Sequence, residues 1–284
     1  LFFINIPIAL IAIILVIFTF HFPEEEIVSK TNFDVKGLSL FYVFIGLLMF
    51  SLLNQGQVVL NVLSLLLALL VGFILYKVEK TTDHPFLPIV KFNKSIALVF
   101  ITDLLIAICL MGFNLYIPVY LQEQLGLSPL QSGFVIFPLS VAWIILNFNL
   151  AKLEAKFSRK ALYIGAFTFL IIGSIIIIFG IKLPLLIAFS VILAGLSFGF
   201  VYTKDSVIVQ EETSPHQMKK MMSFYALTKN LGSSIGSTVM GYMYAMKSGL
   251  FGSNLHNVLG LAIVIAIVLV AIWSFIYKNK PVTN

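Results

Sequence analysis

The sequence predicts an all-α membrane protein, a helical bundle of about nine transmembrane helices, and three observations carry that expectation. Of the 284 residues, 60% are hydrophobic and 11% charged, against roughly 45–50% and about 25% in soluble domains. Long charge-poor runs recur along the whole chain, and Lys and Arg collect in alternate connectors between them. So apolar a chain has too little polar surface to face water, which excludes a soluble enzyme, a nucleic-acid binder and a disordered linker. The single cysteine, Cys109, leaves neither a disulfide framework nor a cysteine zinc site.

A helix rises about 1.5 Å per residue through roughly 30 Å of hydrocarbon, so each span needs about 20 mostly apolar residues. The runs here are continuous and apolar all round, unlike the alternating ~10-residue strands of a membrane barrel. The first span is read over 2–20, where Asn5 and Pro7 stand in place of the basic start of a cleavable signal. Because Leu1 already lies inside this run, an upstream part of the protein is expected outside the sequence. Residues 21–37 form an acidic connector with Glu24, Glu25, Glu26 and Asp34. Spans at 38–54 and 57–76 make a separate hairpin, followed by the polar connector 77–94. Six further spans, at 95–121, 131–151, 161–181, 184–206, 221–246 and 257–277, make one compact unit over 95–284. The short turn Ile181-Lys182-Leu183 forces its flanking helices to be antiparallel.

The basic residues orient the bundle. Placing the end of the first span in the cytoplasm puts 14 of the 18 Lys and Arg residues in inner connectors and the tail. The outer connectors hold only Lys182 and Lys247, and Lys204 and Lys229 fall within or near spans. The expected arrangement is therefore multi-pass in the cell membrane with a cytoplasmic C-terminus. The formal charge of +6 records topology, not an acidic ligand.

No phosphate loop, metal-ligand spacing or activated nucleophile is present, and His21, His84, His216 and His256 sit in four separate connectors. No cofactor or metal is expected. Charge inside the spans is the informative feature. Asp103, flanked by Ile101, Leu104 and Leu105, costs on the order of 2.5–3.5 kcal/mol to insert, so it should face protein or water and have a task. Asn114 follows 11 residues later, about 20° off the same helical face, so Asp103, Ala107, Leu110 and Asn114 are expected to line one stripe towards a cavity. Asp103 is read either as a proton-titrating or cation-binding acid or as half of a static ion pair. Lys229 is read as a charge partner across the cavity or as a side chain snorkelling to headgroups. Lys204 and Asp205 are an embedded pair if the seventh span runs on through Val209, and otherwise mark the membrane surface. Trp143 and Asn147 share a face one turn apart and suit a flat lipophilic cation. Gly195-x-x-x-Gly199 and Gly232-x-x-x-Gly236 are expected to let helices approach closely. In the connector 152–160, Glu154, Lys156, Arg159 and Lys160 are candidates for a cytoplasmic gate, the alternative being topological anchoring.

Several segments follow a known pattern in order: Phe2-Phe-Ile-Asn-Ile-Pro-Ile8, Phe33-Asp-Val-Lys-Gly37, Pro85-Phe-Leu-Pro-Ile-Val-Lys-Phe92, Gly126-Leu-Ser-Pro-Leu-Gln-Ser-Gly133 and Lys229-Asn-Leu-Gly-Ser-Ser-Ile-Gly236. With these, the chain resembles the 14-span drug:proton antiporters (DHA2) of the major facilitator superfamily, over their sixth to fourteenth spans. The resemblance implies a partial major facilitator fold. Residues 1–37 would be the last span of the N-terminal half with its cytoplasmic linker, 38–76 an inserted hairpin, and 95–284 the C-terminal six-helix half. It further implies export of lipophilic, often cationic small molecules driven by protons, with Asp103 lining the central cavity. Partners would be the substrate, protons, the lipid bilayer and the N-terminal half of the same transporter, with no nucleic acid. The chain departs from the pattern at Ser158 and Ala155, where glycine and aspartate are usual, at Lys229 in place of arginine, and at Lys204-Asp205. The alternative function is a carrier of a neutral metabolite without proton antiport. A membrane-embedded lipid enzyme would need clustered His, Asp or Ser at one interface, which the sequence does not show.

Overall fold

In the computed structural model the described residues are 5–19, 34–54, 57–82, 85, 87, 92–246 and 253–277. The acids Glu24, Glu25 and Glu26, His21 and His84, Lys30, Lys91, Lys247, Lys278 and Lys280, and most of the 85–92 motif lie outside them. All regular structure among the described residues is helical.

The chain runs as α1 (Asn5–Thr19), α2 (Val35–Leu53), α3 (Val58–Thr81), α4 (Lys94–Met111), a π-helical turn (Gly112–Tyr116), α5 (Ile117–Glu123), α6 (Pro129–Lys156), α7 (Arg159–Phe179), α8 (Pro184–Glu211), α9 (Met218–Ala245) and α10 (Asn254–Phe275). Seven of the described segments, α4 to α5 counted as one, are long and apolar enough to cross a membrane. The 28-residue α9 is less apolar because it carries Lys219, Lys220 and Lys229. In α1, 15 residues are helical.

Local chemistry sets the ends. The side chains of Asp34, Asn93, Ser158 and Ser253 each accept a hydrogen bond from an N–H of the first turn that would otherwise be unpaired. Ser128 and Gln131 close a reciprocal capping box at the start of α6. Gly126, at φ +67°, turns the chain between α5 and α6 in a conformation that side chains with a Cβ disfavour. Pro118, near the start of α5, lacks an N–H and its ring crowds the carbonyl four residues back; the π turn lies immediately before it. At the other end of their spans, α6 and α8 continue beyond the expected 151 and 206, to Lys156 and Glu211.

Helices α4 to α10 share one core. Helix α4 packs chiefly on α9 and also touches α8 and α10, α8 lies between α6 and α7, and α7 packs on α10. Small residues make the closest crossings: a Cβ at Gly232 would lie 2.7 Å from the Ala107 Cβ, and one at Gly236 2.7 Å from the Ile108 Cα. Helices α2 and α3 pack as a hairpin, with the Ser64 hydroxyl donating to the Leu47 carbonyl at 2.8 Å. The hairpin rests on α9, where Phe41, Leu75 and Leu87 meet Phe224, Leu227 and Leu231. We call the end at which α4, α7 and α9 begin, and α6 and α8 finish, the basic end.

Candidate functional site: buried acids inside the bundle

Asp103 lies nine residues into α4, about 13 Å from its start, and is fully buried. Its Oδ1 accepts a hydrogen bond from the Tyr225 hydroxyl of α9 at 2.9 Å. That hydroxyl also reaches the Tyr202 carbonyl of α8 at 3.4 Å. The second carboxyl oxygen, Oδ2, is buried without a hydrogen-bond partner. Lys229, one turn after Tyr225 on α9, is near enough to act on Asp103 electrostatically. Its ammonium sits 3.9 Å from the centre of the Tyr202 ring. That ring also stacks on Trp143 of α6, with centroids 5.4 Å apart and planes 6° from parallel. The sequence left Lys229 between charge partner and snorkelling anchor; it points into the bundle, over an aromatic ring.

Asp205 is a second fully buried acid. Its Oδ1 accepts from the Tyr163 hydroxyl of α7, and its Oδ2 is without a partner. Tyr163 stacks on Trp273 of α10 at 3.5 Å. The Trp273 indole N–H donates to the Thr102 hydroxyl at 2.8 Å, one residue before Asp103. The two acids therefore share one packed unit, each holding one tyrosine hydroxyl on its Oδ1 and each buried from bulk water.

Lys204 and Asp205 are both embedded, because α8 runs on past Val209. They do not pair with each other. Successive helical side chains diverge by about 100°, so Lys204 turns to Glu154 of α6 at 2.7 Å and to Glu211 at 4.0 Å, while Asp205 turns to α7. Arg159, at the start of α7, bridges Glu211 at 3.1 Å and Glu212 at 3.8 Å. Asn93, just before α4, donates to Glu212 at 2.6 Å. This polar cluster ties α4, α6, α7 and α8 together at the basic end. Of the other gate candidates, Lys160 donates to the Ser274 carbonyl of α10 at 2.5 Å, and Lys156 is exposed on the last turn of α6.

The expected stripe along α4 needs correction. Asp103 and Ala107 are covered by α9, whose Gly232 sits against Ala107, whereas Asn114 is exposed in the π turn. Helix packing interrupts the stripe before it reaches Asn114, so the four residues do not form one continuous cavity wall. Asn147 accepts from the Thr203 hydroxyl at 2.8 Å, linking α6 to α8 one turn from Trp143. Tyr163, Tyr202, Tyr225 and Thr102 complete the acid sites and escape a reading that looks for charge; a tyrosine hydroxyl inside an apolar span is the signal that marks them. Among the described residues no group of three His, Cys, Asp or Glu is placed to hold a metal.

Residues 1–237 match the Major Facilitator Superfamily. The chain belongs to this superfamily. Over 280 residues it is 72% identical to the multidrug efflux pump SdrM of Staphylococcus aureus (strain N315), covering 99% of this chain and 63% of that protein. It is 24% identical to the multidrug transporter protein MdtP of Bacillus subtilis, over 87% of this chain and 47% of that protein. The riboflavin transporter RibZ of Clostridioides difficile is 25% identical over 87% of this chain and 54% of its own length. The chain thus spans between 47% and 63% of these superfamily relatives. The seven membrane-capable helices among its described residues accord with that membership.

Proposed function

We propose that the chain carries the C-terminal half, the last span of the N-terminal half and an inserted hairpin of a proton-coupled exporter of lipophilic, cationic small molecules. The single observation that carries this reading is Asp103: a fully buried carboxyl with one oxygen held by Tyr225 and one oxygen free of partners. An oxygen of that kind can take a proton or face a cation, but one negative charge does not serve both well. Proton and substrate then oppose each other's binding, and by linkage the opposition is reciprocal. Protons entering from outside empty the site there, and their loss to the cytoplasm readies it for the next cation. The relation to a multidrug efflux pump supports export of small-molecule drugs, and the cationic class rests on the buried carboxyl of Asp103.

In this reading the basic end is cytoplasmic, the C-terminus with it, and the cell membrane holds the protein. The Glu154–Lys204–Glu211–Arg159–Glu212 cluster acts there as a gate that holds four helices in one body while the halves rock. Asn114, exposed beyond the π turn, and Asn147 and Trp143 on α6 contribute to the substrate path.

The test is Asp103→Asn in the full-length transporter that carries this chain, assayed by ethidium uptake into inverted vesicles under an imposed pH gradient, acid inside. The amide keeps the shape and loses the titratable proton. Uptake driven by the gradient is expected to fall at least about tenfold, the effect of removing an interaction worth ~1.4 kcal/mol. Unchanged uptake and unchanged proton movement would remove Asp103 from the coupling. A second reading, a carrier of a neutral metabolite, is favoured by the relation to a riboflavin transporter. Under that reading, transport is independent of the pH gradient.

A further inference from the structure

We propose that Lys229 is a tethered cation that competes with cationic substrate for the face of Tyr202, and that the charge on Asp103 decides which of the two occupies it. The inference rests on the proton-coupled reading above and extends it to Lys229, which the sequence left between charge partner and snorkelling anchor.

Trp143 stacks against the Tyr202 ring, and the Lys229 ammonium sits over that ring, 3.9 Å from its centre. A quaternary ammonium or flat aromatic cation is recognised by such a ring, and here it competes with Lys229 for that place. The ammonium is held loosely: among the described residues no carboxylate lies within 4.0 Å of it. Its stem has four rotatable bonds. Lys229 and Tyr225 are one turn apart on the same face of α9, and helical side chains lean towards the N-terminus, so the ammonium leans towards the Tyr225–Asp103 pair. Asp103 Oδ2 is the oxygen of that pair buried without a hydrogen-bond partner.

The groups facing Asp103 come from each element packed on α4. Helix α9 presents Tyr225 and Lys229, and α8 presents Tyr202 and Asp205; α10 presents the uncharged Trp273 beside Thr102. Behind these, α7 contributes Tyr163, bonded to Asp205, and α6 contributes Trp143 on the ring and Glu154 tied to Lys204. Lys229 is therefore the cation able to answer a change at Asp103. With Asp103 ionised, the ammonium is drawn to Oδ2 and the Tyr202 face opens to substrate. A proton arriving on Oδ2 removes that attraction, Lys229 returns to the ring and the substrate cation leaves. One proton is gained as one cation is released, and no bond of the substrate changes. The present arrangement, with Lys229 on the ring, is the closed one.

Binding of tetraphenylphosphonium to the purified full-length transporter tests this, measured by calorimetry between pH 5.5 and 8.5 on variants whose folding is checked by thermal unfolding. Lys229→Met is expected to raise affinity at low pH by about tenfold, the factor a desolvated cation–π contact is worth, and to flatten the pH dependence. Lys229→Arg keeps it. Asp103→Asn binds weakly at every pH because Lys229 stays on the ring, and adding Lys229→Met to it restores binding. Failure of the second change to restore binding overturns the tether while leaving Asp103 as the coupling acid. If instead Asp103→Asn binds and transports normally, the proton-coupled reading itself fails. Where Lys229→Met does not fold, Lys229→Gln, with a neutral polar head, takes its place with the same expected rescue.

Discussion

Replacing Gly232 by alanine sets a methyl carbon 2.7 Å from the Ala107 Cβ, 2.8 Å from the Leu104 carbonyl oxygen and 3.2 Å from the Leu104 Cα. Carbon atoms rest at about 3.5–4.0 Å, and none of these three atoms can swing aside, since two are backbone and one is a first side-chain carbon. Helices α4 and α9 must therefore part by about 1 Å at this level. Asp103 adjoins Leu104, so the same movement stretches the 2.9 Å Tyr225–Asp103 hydrogen bond beyond the ~3.2 Å at which such bonds hold. Overpacking costs roughly 1–3 kcal/mol, and a lost hydrogen bond between neutral groups about 0.5–1.5 kcal/mol. Alanine returns about 1 kcal/mol of helix propensity. The net expectation is a loss of about 0.5–3.5 kcal/mol. Thermal unfolding in detergent measures it, beside Gly133→Ala on α6, where the added carbon meets nothing within 4 Å and stability should hold or rise. If Gly232→Ala melts no lower than Gly133→Ala, the account of the α4–α9 crossing is wrong.

Other expectations follow from the polar clusters. Tyr163→Phe leaves both oxygens of the buried Asp205 unpaired and should cost about 1–3 kcal/mol; adding Asp205→Leu should recover part of that loss in the same melting assay. Glu154→Gln and Lys204→Met should be coupled by about 0.5–3 kcal/mol in a double-mutant cycle, because the Lys204 side chain is 8% exposed against 33% for Glu154; additive effects would mean that the contact contributes nothing. Arg159→Lys should change stability by less than about 1 kcal/mol, as exposed ion pairs do, yet slow efflux several-fold by losing the bridge to Glu211 and Glu212. Full efflux in that variant would take Arg159 out of the gate.

Seven membrane-capable segments among the described residues were legible from the chain because hydrocarbon thickness demands about 20 apolar residues of each, although α6 and α8 run past their expected ends. An apolar run ends where polar residues begin, and the capping residues Asn93, Ser128, Ser158 and Ser253 stand at the starts of their helices. The burial of Asp103 was legible for a related reason: a carboxylate in an apolar run is costly to leave facing lipid, so it turns inward. The two Gly-x-x-x-Gly stretches announced close crossings, though not with which helix.

What answers each buried charge was decided only in three dimensions. Tyr225 lies 122 residues from Asp103 and Tyr163 42 residues from Asp205, and no local pattern ties a hydroxyl on one helix to a carboxyl on another. Lys204 and Asp205 stand side by side in the chain, but a turn of about 100° per residue sends them to different neighbours. The stripe from Asp103 to Asn114 is continuous on an isolated helix and is broken once α9 covers its lower half. Hydropathy is a property of one segment and its solvent, so it reads from sequence alone. Pairing belongs to two segments and to the distance between them, which only packing sets.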